Sequence, residues 1–344
     1  MDISTFVILS GGLFLGWALG ANDAANVFGT AVGTKMVRFA TAALVCSLFV
    51  VLGSVISGAG PAETLSKLSE IDQSLHAFIA VVSAGFTVFI MTRFGLPVST
   101  SQAIVGALVG WNIFQGIETD SDILKTIIAS WIFCPLLAGL IAAALLPPLA
   151  ATMRILNLRL FVQDATIRWA LLVAGAFGAY SLGANNIANV MGPFIHVVQP
   201  PSIGFGSVLL LDSTQVLFLI GALAIVVGVV TYGRRVMLTV GRNLFQLSPL
   251  TAWVAVVSHA IVLILFTSKS LASWLDAAGL PQIPLVPVSS SQAIVGAVIG
   301  IGLLRGASSI RWHLVSGIVL GWLVTPICAG MLCLAVLISV QSIL

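Results

Sequence analysis

Apolar residues gather along the chain in long blocks rather than in short alternating stretches. Blocks of about 20 residues, the length a helix needs to cross the hydrocarbon core of a bilayer, lie near 3 to 22, 38 to 58, 76 to 93, 97 to 116, 123 to 148, 167 to 185, 206 to 231, 250 to 268, 286 to 304 and 312 to 342. The strands of a membrane barrel would instead alternate over roughly ten residues. The pattern therefore predicts an all-α polytopic membrane protein with about ten transmembrane spans. The first block carries Asp2 where a secretory leader carries basic residues, and it lacks a small-x-small cleavage site, so it reads as a span.

Composition agrees and removes the alternatives. Charged residues make up 7% of the 344 positions and hydrophobic residues 59%, with a mean hydropathy of +1.15; a soluble domain carries about a quarter charged residues. Twenty-five charges cannot cover a water-facing surface of this size. A soluble enzyme, a nucleic-acid binder with a basic face and a disordered chain are all excluded.

The position of the charges then predicts orientation, because cytoplasmic loops carry the excess of Lys and Arg. With the N-terminus outside, the inner loops receive Lys35, Arg38, Arg93, Arg154, Arg159, Arg168, Arg234, Arg235, Arg242, Arg305 and Arg311, against the single acid Asp164. The outer loops receive Asp2, Glu63, Glu70, Asp72, Glu118, Asp120, Asp122 and Asp276, with Lys67, Lys125 and Lys269. A wrong span count early in the chain would scramble this segregation. A multi-pass protein of the cell membrane with both termini extracytoplasmic is expected. Cys46, Cys134, Cys328 and Cys333 fall inside apolar blocks without metal-ligand spacing and read as packing residues.

Internal repeats divide the chain. LGANDAANVFG at 19–29 matches LGANNIANVMG at 182–192, PVSTSQAIVGALVG at 97–110 matches PVSSSQAIVGAVIG at 287–300, and SWIFCPLLAG at 130–139 matches GWLVTPICAG at 321–330. The order is the same in each half. The expected units are a first transmembrane repeat over 1–153, a cytoplasmic linker over 154–168 and a second repeat over 169–344. Five spans separate the first motif from its copy, and an odd number inverts the second half relative to the first. Inverted repeats place substrate and ion sites near the bilayer midplane, where they meet, and build them from broken or re-entrant helices.

The repeated motifs carry the polar chemistry. GANDAANVFGTAVGT at 20–34 puts Asn22, Asp23 and Asn26 at membrane depth, and an intramembrane carboxylate is costly enough to be read as functional. Gly20, Gly29 and Gly33 are expected to let the helix open there and free carbonyls as cation ligands. The second copy offers Asn185, Asn186 and Asn189, so the pair of motifs has one acid. Oxygen ligands of this kind suit a hard cation, with Na⁺ expected at Asn22, Asn26, Asn185 and Asn189. In the other motif, Pro97 is expected in the first turn of a helix, which places Ser99, Thr100, Ser101 and Gln102 at its N-terminus; Pro287 does the same for Ser289, Ser290, Ser291 and Gln292. Free N–H groups, hydroxyls and the positive helix end make such a terminus an anion site. Gly12, Gly16 and Gly20 form a small-residue stripe suited to close helix packing. His259 falls inside span eight and reads as a structural histidine, while Asp212 falls near the outer end of span seven.

GANDAAN and GANNIAN, each followed by PVSTSQ or PVSSSQ and then by a WxxxP element (Trp131 to Pro135, Trp322 to Pro326), resemble the inorganic phosphate transporter (PiT) family over nearly the whole chain. The resemblance implies a secondary carrier that is no enzyme, moving inorganic phosphate with Na⁺ or H⁺. It implies that Asn22, Asp23, Asn26, Asn185, Asn186 and Asn189 belong to the cation and substrate region, and that Ser99 to Gln102 and Ser289 to Gln292 hold phosphate together with Asp23. Many members read STTH where this chain has STSQ and SSSQ, so Gln102 and Gln292 replace a histidine and a histidine-based proton step does not carry over. The expected partners are phosphate, the coupling cation and the lipid bilayer, with a homodimer as a candidate assembly, no nucleic acid and no cofactor beyond Na⁺ as coupling ion. Sulfate or arsenate transport and an anion channel are the competing readings.

Overall fold

The computed structural model describes residues 3–93, 98–205, 209–239, 247–306 and 310–343. Asp2, Pro97 and Arg242 lie outside them. Thirteen α-helices are present among the described residues: α1 (Ile3–Gly33), α2 (Phe39–Ser57), α3 (Ala59–Leu68), α4 (Ser74–Arg93), α5 (Thr100–Gln115), α6 (Ser121–Leu156), α7 (Leu160–Met191), α8 (Ser213–Thr231), α9 (Gly233–Thr239), α10 (Pro249–Leu265), α11 (Lys269–Ala277), α12 (Ser290–Leu304) and α13 (Trp312–Gln341). Each of the ten apolar blocks has its helix. Among the described residues seven helices are long and apolar enough to cross a membrane, and α10 with α11, bent by 66° to each other, form either a broken span or a re-entrant pair.

The remaining two, α5 and α12, have 16 and 15 residues. At about 1.5 Å per residue they reach only about 24 Å, short of a hydrocarbon core of about 30 Å, and each starts in the protein interior. Apolar side chains such as Leu140 on α6 and Leu323 on α13 are exposed, whereas Ser101, Gln102, Asn185 and Asn189 are buried. That inside-out distribution fits a protein whose solvent is lipid.

Helix contacts come in mates, as two inverted repeats require. α1 packs on α8 as α7 packs on α2; α1 on α4 as α7 on α10; α4 on α5 as α10 on α12; and α5 on α13 as α12 on α6. Several of these contacts join one repeat to the other, so the two halves are interlocked. The motif glycines make the closeness available. A Cβ on Gly20 of α1 would overlap Ile225 O of α8, and one on Gly183 of α7 would overlap Val50 O of α2. Likewise Gly106 of α5 sits on Pro326 O, and Gly296 of α12 on Pro135 O. The glycine of each SQAIVG thus meets the proline of the opposite WxxxP, and the third repeated element is a packing partner for the second.

The close approach also corrects one expectation. α1 and α7 run unbroken through the GAND and GANN motifs. Gly20 serves helix contact there, together with Gly12 against Val190 O and Gly16 against Ala224 Cβ, rather than helix opening. Gly183→Val or Gly20→Val is expected to cost about 1–3 kcal/mol or more through overpacking against a backbone that cannot yield, read as a lowered unfolding midpoint in detergent and similar for the two mates.

Three further differences come from local structure. Within the block near 206, Leu209–Leu211 form a short strand paired antiparallel with Ile203–Phe205. α8 begins only after Asp212, which caps it in a reciprocal capping box with Gln215. The expected linker at 154–168 is mostly helical, with a break of residues 157–159 between α6 and α7. The short helices α3 and α11 join through Lys269 Nζ and Glu63 Oε1 at 2.6 Å, a half-exposed pair.

Candidate functional site at the meeting of the two repeats

α5 and α12 each begin at a serine cap. Ser99 and Ser289 have extended backbone angles, and each side chain accepts the N–H of the residue three ahead, Gln102 or Gln292, at 3.2 Å. These are ordinary serine N-caps. What distinguishes them is their location. Ser101 Oγ donates to Val288 O and Ser291 Oγ donates to Val98 O, both at 3.0 Å. The two helix starts are therefore tied to one another's lead-in by a reciprocal pair of bonds in the buried centre. Pro287 lies in the lead-in, two residues before the cap, and not in the first helical turn.

Each GAN motif reaches the PVS helix of the other repeat. Asn26 Nδ2 on α1 donates to Ser290 Oγ on α12 at 3.0 Å, and Asn189 Nδ2 on α7 donates to Ser101 Oγ on α5 at 2.9 Å. Within the motifs, Asn22 Nδ2 and Asn26 Nδ2 donate to Asp23 Oδ1 at 2.9 and 3.4 Å, and Asn189 Nδ2 donates to Asn186 Oδ1 at 2.9 Å. Asp23 is buried, and its carboxylate meets only these amides among the described residues. A buried carboxylate without a basic partner is stabilised by any cation that can join it.

The two copies differ in exposure. Asn22 and Asn26 are half-buried, whereas Asn185, Asn186 and Asn189 are fully buried. Asn185 does not join the serine cluster. Its amide pairs with the lead-in of α12, accepting Val288 N–H at 2.8 Å and donating to Val286 O at 3.1 Å and Thr267 Oγ1 at 2.9 Å. It behaves as a clamp on backbone.

Around the helix starts, several buried polar atoms have no partner among the described residues: Thr100 Oγ1, Gln102 Oε1, Gln292 Oε1, Asn186 Nδ2 and Asn189 Oδ1. Orphaned buried polar atoms are costly and normally rare. They lie on the first turns of α5 and α12 and on the GANN motif of α7, which marks these segments as the candidate site.

His259, whose sequence reading is a structural histidine, is fully buried and belongs to this cluster as well. Its Nε2 lies 2.9 Å from Ser290 Oγ. A sequence signal for it exists: AVVS at 80–83 recurs at 255–258, followed by Ala84 in the first repeat and by His259 in the second.

A family model described as phosphate transporter family matches residues 19–161 and 159–333. The chain belongs to that family. A candidate phosphate permease of Methanocaldococcus jannaschii is 26% identical over 96% of this chain and 95% of its own length. Inorganic phosphate transporter 2-1, chloroplastic, of Arabidopsis thaliana is 24% identical over 93% of this chain and 69% of its own. Among solved structures, one titled the sodium-dependent phosphate transporter superposes with a TM-score of 0.78 at 22% identity, covering 98% of this chain and 99% of that one. This family member thus shares the fold of a known membrane transporter, and its two family-model segments meet at the break between α6 and α7.

Proposed function

We propose that this phosphate transporter family member carries inorganic phosphate across the cell membrane together with cations, Na⁺ before H⁺, by alternating access. The observation that carries the reading is the pair of interlocked starts of α5 and α12, with Asn26 joining Ser290 to Asp23, the one buried acid among the described residues. The helix N-termini and hydroxyls provide donors for an oxyanion, and Asp23 with Asn22, Asn26, Asn186 and Asn189 provides oxygens for a hard cation. Asn185 contributes by fixing the backbone ahead of Ser289. The names of the Arabidopsis relative and of the sodium-dependent neighbour support both the anion and the cation.

Coupling is also what the energetics require. Bringing HPO₄²⁻ into a cell with an interior-negative potential of 100 mV costs about 4.6 kcal/mol, at about 2.3 kcal/mol per charge. Two Na⁺ would cancel that charge and add their own gradient. Phosphate is preferred over sulfate because its protonated oxygen can donate to Asp23, while a fully ionised anion meets only repulsion. We further propose that one bundle of helices, drawn from both interlocked repeats, rocks against the other around the site and so alternates access. In this arrangement the basic loops face the cytoplasm and both termini lie outside.

The test is uptake of labelled phosphate into proteoliposomes under imposed Na⁺ or pH gradients. Saturable uptake driven by Na⁺, with weak competition by sulfate, is expected. Uptake that neither saturates nor follows a cation gradient would establish a channel instead, and strong sulfate competition a broader oxyanion carrier.

A further inference from the structure

The two PVS helices are near copies, yet their second hydroxyls sit in different surroundings. Ser290 Oγ receives Asn26 Nδ2 at 3.0 Å and touches His259 Nε2 at 2.9 Å. Thr100 stands at the matching place in the first repeat, but its Oγ1 is unpartnered among the described residues. Asn189, the mate of Asn26, bonds Ser101 instead, and the place of His259 is taken by Ala84.

The other ring nitrogen of His259, Nδ1, is buried and also unpartnered. A neutral imidazole has one N–H and one bare nitrogen. An orphaned buried N–H is rarer than an orphaned acceptor, which puts the proton on Nε2 and makes it the donor to Ser290. Both lone pairs of Ser290 Oγ are then occupied, by Asn26 and by His259. Its own proton has to point elsewhere, into the site at the positive end of α12.

We propose that His259 is a positioning residue that makes Ser290 a dedicated donor to the transported oxyanion, while the Thr100 hydroxyl, with no such partner, keeps its freedom to rotate. The inference rests on the phosphate-transport reading and adds a division of labour between the two repeats.

His259→Gln and His259→Met compare side chains of similar size, of which the first retains an N–H donor. In Na⁺-driven phosphate uptake, His259→Met is expected to raise the phosphate KM about tenfold, the order expected for losing one oriented bond to a charged group, with half-saturation by Na⁺ unchanged; His259→Gln is expected to restore most of the affinity. In a Ser290→Ala background, His259→Met should add nothing further. An unchanged phosphate KM in His259→Met, equal shifts for Na⁺ and phosphate, or additive effects with Ser290→Ala overturns the proposal. Should His259→Met fail to insert, Ser290→Ala alone decides: it must raise the phosphate KM and leave Na⁺ activation unchanged. Wild-type protein that takes up no phosphate would instead overturn the transport reading itself.

Discussion

Asp23→Asn is expected to abolish Na⁺-driven phosphate uptake while leaving the protein folded. The second repeat supplies the reason for the folding half of this expectation. There, Asn186 occupies the matching position, is equally buried, and accepts Asn189 Nδ2 as Asp23 accepts Asn26 Nδ2. An asparagine at 23 can therefore keep the local hydrogen bond and would make the two motifs alike. The charge, however, has no substitute, because Asp23 is the acid the two repeated motifs contain. Losing one charge-assisted contact to the cation and one to protonated phosphate removes about 3 kcal/mol or more, a fall of about a hundredfold or greater in uptake. Initial rates in proteoliposomes, beside an unchanged unfolding midpoint, check it. Wild-type rates in Asp23→Asn would rule out the role assigned to this carboxylate.

Much of this arrangement is legible before any coordinates. Ten apolar blocks correspond to ten helices because continuous hydrophobicity over about 20 residues admits few other solutions in a bilayer. The inverted pairing of α1 with α8 and α7 with α2 follows from repeated motifs separated by an odd number of spans. The meeting of the two PVS helices follows as well, since polar residues at membrane depth have to find partners.

What stayed illegible is whatever depends on which partner is found. Gly20 and Gly183 are compatible both with an opened helix and with close packing, and only the positions of Ile225 O and Val50 O decide for packing. The lengths of α5 and α12 were hidden because the lead-in to α12 includes apolar residues such as Val286 and Val288 that extend the hydrophobic block. Leu209 to Leu211 read as the start of a span, although Asp212 caps the helix after them. His259 looked isolated because its partner Ser290 lies 31 residues further on.

The near-identity of the motifs also conceals that the copies make different contacts, and Asn185 makes the consequence measurable. Asn185→Ala would remove three bonds at once and leave Val288 N–H and Val286 O unpaired in a buried place. Each orphaned backbone group costs about 1–3 kcal/mol, so a total loss of about 3–5 kcal/mol is expected. Because those bonds hold the backbone just ahead of the Ser289 cap, the start of α12 would lose its register with Val98 and Ser101. Asn22→Ala, at the matching but half-buried position, removes a donor to Asp23 and should alter cation dependence with little change in stability. The contrast is read from unfolding midpoints in detergent and from Na⁺ activation curves of the two variants side by side. A large midpoint drop for Asn185→Ala with none for Asn22→Ala is the expected outcome; equal drops would mean that both copies are scaffold. One arm of the inverted pair then clamps the site's backbone, which leaves the other arm free to bind and release ions.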